Sequence, residues 1–263
     1  ASQSGETPVL EVGSPMDIGD YAAGNTGRVY VFTNADEVAL YKNDRYVTSF
    51  RPSGWSGLTH GPVLADDTIG CLLNTQEGFT GAKEKLLHDC LASAGKHGLA
   101  NMPLGDKLKM LRCMAMYKLT FADGVKLYGK YVGNWGGEAT RWRFDGIRDG
   151  RTVASCTRAP GKHLHIEARV SSTALTERAS YDMAAVRIRL LDEYGNTASY
   201  AQLPVELETG GVIGIAGPHT VTAEGGMCGT YVRSLGRAGS GTLTLRVQGL
   251  ESVKIEFTVR TEG

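Results

Sequence analysis

The alternation of apolar and polar residues divides the chain into regions with different periods. Residues 9 to 51 alternate with a period of two, which predicts short β-strands. The runs are VLEV, GRVYVFT, DEVALYKN and RYVTSF. Two of them are separated by the polar stretch KNDR, where Asn43 and Asp44 predict a turn because these residues tolerate a left-handed backbone. This region therefore predicts a scaffold of strands and hairpins.

From about residue 53 to 133 the period becomes helical. One helix is predicted after Thr80, with Gly95 or Gly98 at its end. Its apolar stripe is Ala82, Leu86, Leu87, Cys90, Leu91 and Ala94. A second helical stripe is Leu104, Leu108, Leu111 and Ala115. Thr120 and Asp123 predict a capping box for a third helix, which carries Phe121, Val125, Tyr128 and Val132 and stops at Gly133.

After Gly133 the two-residue period returns and stays to the end of the chain. ATRWRFDG and RTVASCTRA predict a hairpin, so the helical block is an insertion into one β-sandwich. Residues 161–263 alternate in six further runs, as in an immunoglobulin-like sandwich. We predict a mainly β fold with two immunoglobulin-like sandwiches, residues 1–160 with a helical insertion at about 53–133, and residues 161–263.

Composition narrows the classes of function. Lys plus Arg and Asp plus Glu both number 28, so no basic field is available to recruit nucleic acid or an anionic membrane. The five cysteines contain no C-x-x-C pair, which argues against zinc and a disulfide framework and favours buried thiols in a reducing compartment. No apolar run of membrane-spanning length and no signal-peptide pattern is found. We expect a cytoplasmic protein, with secretion left open if a signal peptide was removed upstream.

Three motifs resemble a known family. VYVFTNADEVALYKNDRYV and the hairpin RWRFDGIRDGRTVAS resemble the immunoglobulin-like domain that follows the catalytic barrel in family 2 glycoside hydrolases, the β-galactosidase and β-glucuronidase superfamily. AAVRIRLLDEYGNTASYAQLPVELETGG, followed by GGMCGTYVRSLGRAG, is similar to the last domain of many such enzymes. The resemblance implies the C-terminal region of a β-galactosidase-like hydrolase.

The same resemblance implies that the catalytic residues lie elsewhere. Retaining glycosidases use two carboxylates about 5 Å apart, and in this family the acid/base Glu follows an Asn. The sequence contains no Asn-Glu pair and no alternating βα units for a barrel. No catalytic residue and no cofactor is therefore predicted in this chain.

One short stretch is a candidate binding site for sugar. In Asn134-Trp135-Gly136-Gly137-Glu138, the Trp135 ring could cover the C–H face of a sugar while Asn134 and Glu138 bind hydroxyls. The alternative is that Trp135 fills the seam between insertion and sandwich, as Trp residues are mostly buried. Trp142, on a strand with Phe144, is predicted to be core.

For the other candidate residues, structural roles are favoured over metal-binding or catalytic roles. One face of a strand carries His163, His165 and Glu167, so a metal site is geometrically feasible there. A solvated strand face is the favoured interpretation, and no metal is predicted. Asp66 and Asp67 could bind Ca²⁺, although use in a turn or cap is favoured. Cys113 could be a nucleophile, but it lies among Leu and Met, which favours burial.

Three hypotheses for function follow. The leading one is a non-catalytic C-terminal region that supports a catalytic barrel or an oligomer interface, with the barrel and N-terminal domains of the parent enzyme as partners. The second is a carbohydrate-binding module that uses Trp135, Glu138 and Trp55. The third is an independent hydrolase that uses His163 and His165 or Cys113. Carbohydrate and a second copy of the chain are further candidate partners, whereas nucleic acid and membrane are not.

Overall fold

The protein consists of two compact units, Ala1–Pro160 and Gly161–Gly263. The computed structural model describes residues 2–5, 7–17, 26–54, 57–98, 100–133 and 139–262. Each unit has its own apolar core and is built mainly from antiparallel sheets. The prediction of two immunoglobulin-like β-sandwiches, the first interrupted by helices, is confirmed.

In the first unit, seven strands form a three-stranded sheet in the order β1-β2-β5 and a four-stranded sheet in the order β4-β3-β6-β7 among the described residues. The strands are β1 (Leu10–Val12), β2 (Val29–Thr33), β3 (Glu37–Lys42), β4 (Arg45–Phe50), β5 (Val63–Ala65), β6 (Trp142–Arg148) and β7 (Arg151–Arg158). The predicted alternation is visible in β2, where Val29, Val31 and Thr33 are buried. Trp142 and Phe144 of β6 are buried in the same core, as predicted.

The hairpin between β3 and β4 has the turn that the sequence predicted. Asn43 and Asp44 have φ values of 48° and 62°, both in the left-handed region. Two consecutive left-handed residues are typical of the tight hairpin turns that match the twist of the strands.

The helices lie between β5 and β6. They are α1 (Leu72–Glu77), α2 (Gly81–His97), α3 (Leu104–Tyr117) and α4 (Phe121–Tyr128), and α4 continues into a π-helical turn at Gly129–Gly133. The predicted capping box is present, because the Thr120 side chain accepts from the Asp123 N–H while the Asp123 carboxylate accepts from the Thr120 N–H. The strand β5 pairs with β2 and lies within the range predicted for the insertion.

The orientation of α3 differs from what the apolar stripe suggests. Leu104, Leu108 and Leu111 are 80%, 66% and 60% exposed, and the buried residue of the helix is Cys113. Cys113 lies nine residues after Leu104, which places it on the opposite face of a helix with 3.6 residues per turn. The helix therefore presents its leucine stripe to solvent.

A hydrogen-bonded link between Asp67 and His88 joins the helices to the loop after β5. The His88 Nε2 lies 3.1 Å from both carboxylate oxygens of Asp67. Oδ1 of Asp67 also accepts from the N–H groups of Ile69 and Gly70. Gly70 has a φ of 44°, and a Cβ there would collide with the Val47 carbonyl. The turn use predicted for Asp67 is confirmed.

Residues 161–262 of the second unit contain nine strands in two sheets, in the orders β12-β14-β10-β8 and β13-β11-β15-β16-β9. They are β8 (Leu164–Val170), β9 (Ala174–Glu177), β10 (Met183–Asp192), β11 (Leu203–Gly211), β12 (Ile213–Ile215), β13 (Thr220–Ala223), β14 (Met227–Ser234), β15 (Gly239–Arg246) and β16 (Val253–Thr261). The six predicted strands are present, and the short strands β9, β12 and β13 are additional.

Candidate functional site

The predicted sugar-binding residues, Asn134, Trp135 and Glu138, lie outside the described residues, as does Trp55. The chain on both sides of residues 134–138, here called the Trp135 segment, is described. These flanks are the part of the candidate site that the structure shows.

The flank before the Trp135 segment is the π-helical turn Gly129–Gly133. Tyr131, Val132 and Gly133 are buried in this turn. A Cβ at Gly133 would lie 3.2 Å from a ring carbon of Tyr128, so the missing side chain permits close packing. Single π-helical turns within α-helices are often found at functional sites. The Trp135 segment thus follows directly from a packed turn.

A polar cluster joins this turn to α1. One oxygen of the Glu77 carboxylate accepts hydrogen bonds from Lys130 Nζ at 2.6 Å and from the Tyr131 hydroxyl at 2.5 Å. Burial alone would raise the pKa of Glu77, but these two donors hold it below its ordinary value. Burial, together with the bond to Glu77, raises the pKa of Tyr131 to about 12. Glu77 is therefore a stable anion and Tyr131 a stable donor.

Lys42, the last residue of β3, meets the same turn. Its Nζ donates to the Lys130 carbonyl at 2.6 Å and lies 5.2 Å from the centre of the Trp142 ring. Burial, helped by the positive charge of Lys130, lowers the pKa of Lys42 to about 8. Near neutral pH the amine is still mostly protonated, so it acts there as a hydrogen-bond donor.

The flank after the Trp135 segment is held by the β3–β4 turn. The Arg141 N–H donates to the Asn43 side chain at 2.7 Å, and the Asn43 N–H donates to the Arg141 carbonyl at 2.8 Å. Asp44 forms ion pairs with both Arg141 and Arg143, and the Arg143 guanidinium lies 4.2 Å from the centre of the Tyr41 ring. The KNDR turn thus anchors the chain where it returns from the Trp135 segment.

The carboxylates of these flanks are paired with cations or donors. Glu77 is bound by Lys130, Asp44 by two arginines, and Asp145 by Arg143 and Ser155. A general acid needs a carboxyl group with a raised pKa, and that of Glu77 is lowered. The arrangement is suited to positioning a segment and to donating hydrogen bonds rather than to transferring protons.

The remaining candidates have structural roles. His165 is exposed on β8 and His163 is exposed directly before this strand, while Glu167 binds Arg189 and Arg169. Cys113 is buried, as predicted, and burial raises the pKa of its thiol. The prediction that all five cysteines are buried is wrong for Cys71, Cys156 and Cys228, which are partly exposed. Among the described residues, no group of three or more His, Cys, Asp or Glu is placed to hold a metal ion.

Sequence reasoning missed the cluster of Lys42, Glu77, Lys130 and Tyr131. Glu77 and Lys130 are 53 residues apart, and their association depends on how α1 packs against the π-helical turn. The available signal was Lys42 at the end of strand β3, directly after the run Val38-Ala39-Leu40-Tyr41. In the part of the chain that the structure describes, no helix has the length and apolarity needed to cross a membrane.

The two β-sandwiches, the first with helices, place the chain in the class of paired β-sandwich domains. Comparison with known proteins shows which proteins share this fold. A β-glycosidase from Bacteroides vulgatus superposes on 97% of this chain and 25% of its own, with a TM-score of 0.56 and 14% identity. A glycosyl hydrolase family 2 member from Bacteroides cellulosilyticus covers 97% of this chain and 29% of its own, with a TM-score of 0.54 and 12% identity.

A β-glucuronidase from glycoside hydrolase family 2 covers 98% of this chain and 20% of its own, with a TM-score of 0.51 and 12% identity. At these identities the likeness concerns the fold. In sequence, a β-galactosidase from Rhizobium radiobacter is 35% identical over 78 residues, which are 30% of this chain and 56% of that protein. No family model matches the chain.

The resemblance to family 2 glycoside hydrolases that the sequence motifs predicted is confirmed. The chain is similar to a part of these proteins, since it spans between 20% and 29% of the solved chains named above.

Proposed function

We propose that this chain is a non-catalytic pair of domains in a β-galactosidase-like family 2 glycoside hydrolase. The observation that carries the proposal is the asymmetry of the structural matches. Nearly the whole chain, 97%, corresponds to only 25% of the β-glycosidase chain. In this proposal the catalytic carboxylates lie in the remainder of a longer protein, which hydrolyses O-glycosidic bonds.

The chemistry of the flanks around the Trp135 segment supports a non-catalytic role. The pKa of Glu77 is held low by Lys130 and Tyr131, whereas an acid catalyst of glycoside hydrolysis needs a carboxyl group that remains protonated near neutral pH. Asp44 is likewise paired with arginines. These carboxylates hold the local structure together.

The exposed leucines of α3 support a role in contact with another domain or subunit. Leu104, Leu108 and Leu111 share one exposed face of the helix. Contiguous exposed apolar residues often mark interaction sites. In the proposed protein, the catalytic barrel or a second subunit covers this face.

Immunopurification from the source organism tests this proposal. An antibody against the 263-residue chain is used to isolate the native polypeptide, which is sized and assayed with chromogenic galactosides and glucuronides. We expect a polypeptide several times longer than 263 residues that hydrolyses at least one of these substrates. A polypeptide of the length of this chain, without glycosidase activity, would contradict the proposal.

A second candidate function is carbohydrate binding by the Trp135 segment. The observation that favours it is that the chain on either side of the segment is held, by Glu77 and Lys130 on one side and by Asn43 and Asp44 on the other. Anchored ends reduce the entropy that a binding loop loses when it orders around a ligand. The proposed contacts are Trp135, Glu138 and Asn134.

Isothermal titration calorimetry with galactoside, glucuronide and plant oligosaccharides tests this second candidate. Trp135→Ala is expected to abolish binding. Tyr200→Ala removes an exposed aromatic side chain in the other unit and is expected to leave binding unchanged. The candidate is ruled out if the wild-type chain binds none of the sugars, or if Trp135→Ala binds them as tightly as the wild type does.

A further inference from the structure

A cavity lies between the helices α2, α3 and α4 of the first unit. Its volume is about 50 Å³. The lining is almost entirely apolar and carries two thiols and two thioethers. It consists of Leu87, Cys90, Leu91, Ala94, Met110, Cys113, Met114, Leu119, Thr120, Phe121, Gly124, Val125, Leu127 and Tyr128.

The chemistry of this lining disfavours water. A water molecule inside a protein needs two to four polar partners. The Thr120 hydroxyl is already bonded to Asp123 at 2.7 Å. Burial raises the pKa of the Cys90 thiol to about 11 and also raises that of Tyr128, as expected where a charge is poorly solvated. The cavity is therefore a place for an apolar group.

Gly124, in the middle of α4, is exposed and lines the cavity. A Cβ at Gly124 would meet no atom within 4 Å, so close packing within the chain does not require glycine there. Glycine is also unfavourable in the interior of a helix. On either side of Gly124, the lining residues Phe121 and Val125 are 64% and 43% exposed. The missing side chain at Gly124 leaves free space beside these two exposed apolar residues.

We propose that this cavity binds a small uncharged apolar ligand, such as a short branched alkyl group, which enters beside Gly124. The size supports a ligand of a few heavy atoms, because the volume is several times the about 10–15 Å³ that one water molecule needs and well below the roughly 150 Å³ of an apolar cavity that binds benzene. The apolar lining excludes a charged or sugar-like ligand, since burying unpaired polar groups is costly. This inference is independent of the proposed glycosidase role.

Methyl NMR of the full chain, with ¹³C-labelled methionine and dissolved xenon as the probe, tests the proposal. Met110 and Met114 line the cavity, whereas Met116 is exposed on the same helix and Met227 lies in the other unit. We expect xenon to shift the Met110 and Met114 signals saturably and to leave those of Met116 and Met227 unchanged. Shifts that do not saturate, that affect all four methyl groups equally, or that are absent would overturn the proposal.

A pair of variants tests the entry point. Gly124→Leu places a large side chain beside the cavity and is expected to weaken xenon binding at least tenfold. Gly124→Ala adds one methyl group and is expected to retain the wild-type affinity within about threefold. Both substitutions favour the helix, so the fold is retained. Unchanged binding in Gly124→Leu would refute entry beside Gly124.

Discussion

The bond between His88 and Asp67 should make the stability of the first unit depend on pH. His88 Nε2 is within 3.1 Å of both Asp67 oxygens, and both side chains are less than a third exposed. The hydrogen bond to Asp67 raises the pKa of His88. Burial alone would raise the pKa of Asp67, but the bonds from His88 and Gly70 hold it below its ordinary value.

The direction of the pH dependence follows from these two shifts. His88 stabilises the fold fully below its unfolded-state pKa of about 6.5, and this contribution is lost as the pH rises through its higher folded-state pKa. Asp67 stabilises the fold above its unfolded-state pKa of about 3.9, and its contribution is lost as the pH falls through its lower folded-state pKa. The pair therefore contributes most between these two unfolded-state values.

We expect His88→Gln to lower the free energy of unfolding of the first unit by about 1–2 kcal/mol at pH 5.5. A hydrogen bond between charged groups contributes about 1.5–3 kcal/mol, and partial exposure reduces this value. The loss should become small at pH 8.5. Urea unfolding followed by the helical circular dichroism signal measures both values.

Two further variants sharpen this test. His165→Gln replaces an exposed histidine on β8 and should retain the wild-type pH dependence. Asp67→Asn keeps a hydrogen-bond acceptor but removes the charge, so the pKa of His88 measured by NMR should fall. An identical pH dependence in wild type and His88→Gln would refute the reasoning.

Three other substitutions test the packing of the first unit, each by urea unfolding. Leu91→Ala, in the core, should cost about 2–5 kcal/mol, whereas Leu108→Ala on the exposed stripe should change stability by less than about 0.5 kcal/mol. Gly70→Ala should cost more than about 1 kcal/mol, because it combines a left-handed backbone with a collision with Val47. Thr120→Ala should cost about 1 kcal/mol by removing the capping box.

Each of these expectations has a contradicting result. Equal losses in Leu91→Ala and Leu108→Ala would mean that α3 buries its leucine stripe. A neutral Gly70→Ala would mean that the turn after Asp67 differs from the one described. Wild-type stability in Thr120→Ala would mean that α4 does not depend on its cap.

The strands were predictable because their signals are local. In β2 every second residue is buried, and the KNDR turn places Asn43 and Asp44 in the left-handed region that their side chains tolerate. The same holds for the capping box at Thr120. Short strands such as β12, only three residues long, carry too few alternations for the pattern to be recognised.

The face on which a helix packs was not predictable from its period. The stripe of Leu104, Leu108 and Leu111 predicts a helix, but α3 buries the face with Cys113 and partly that with Met110 and Met114. The period identifies an apolar face without identifying the surface that covers it. The cluster of Glu77 with Lys130 also depends on tertiary contacts, so no local pattern could have indicated it.

The rate of glycoside hydrolysis by the purified chain alone tests the central claim most directly. The chain is expressed in a host that lacks its own β-galactosidase and β-glucuronidase, and it is assayed with chromogenic galactosides and glucuronides. We predict no turnover above the buffer rate, because the catalytic carboxylates are proposed to lie in the rest of a longer protein. Turnover that co-elutes with the 263-residue chain would contradict the account.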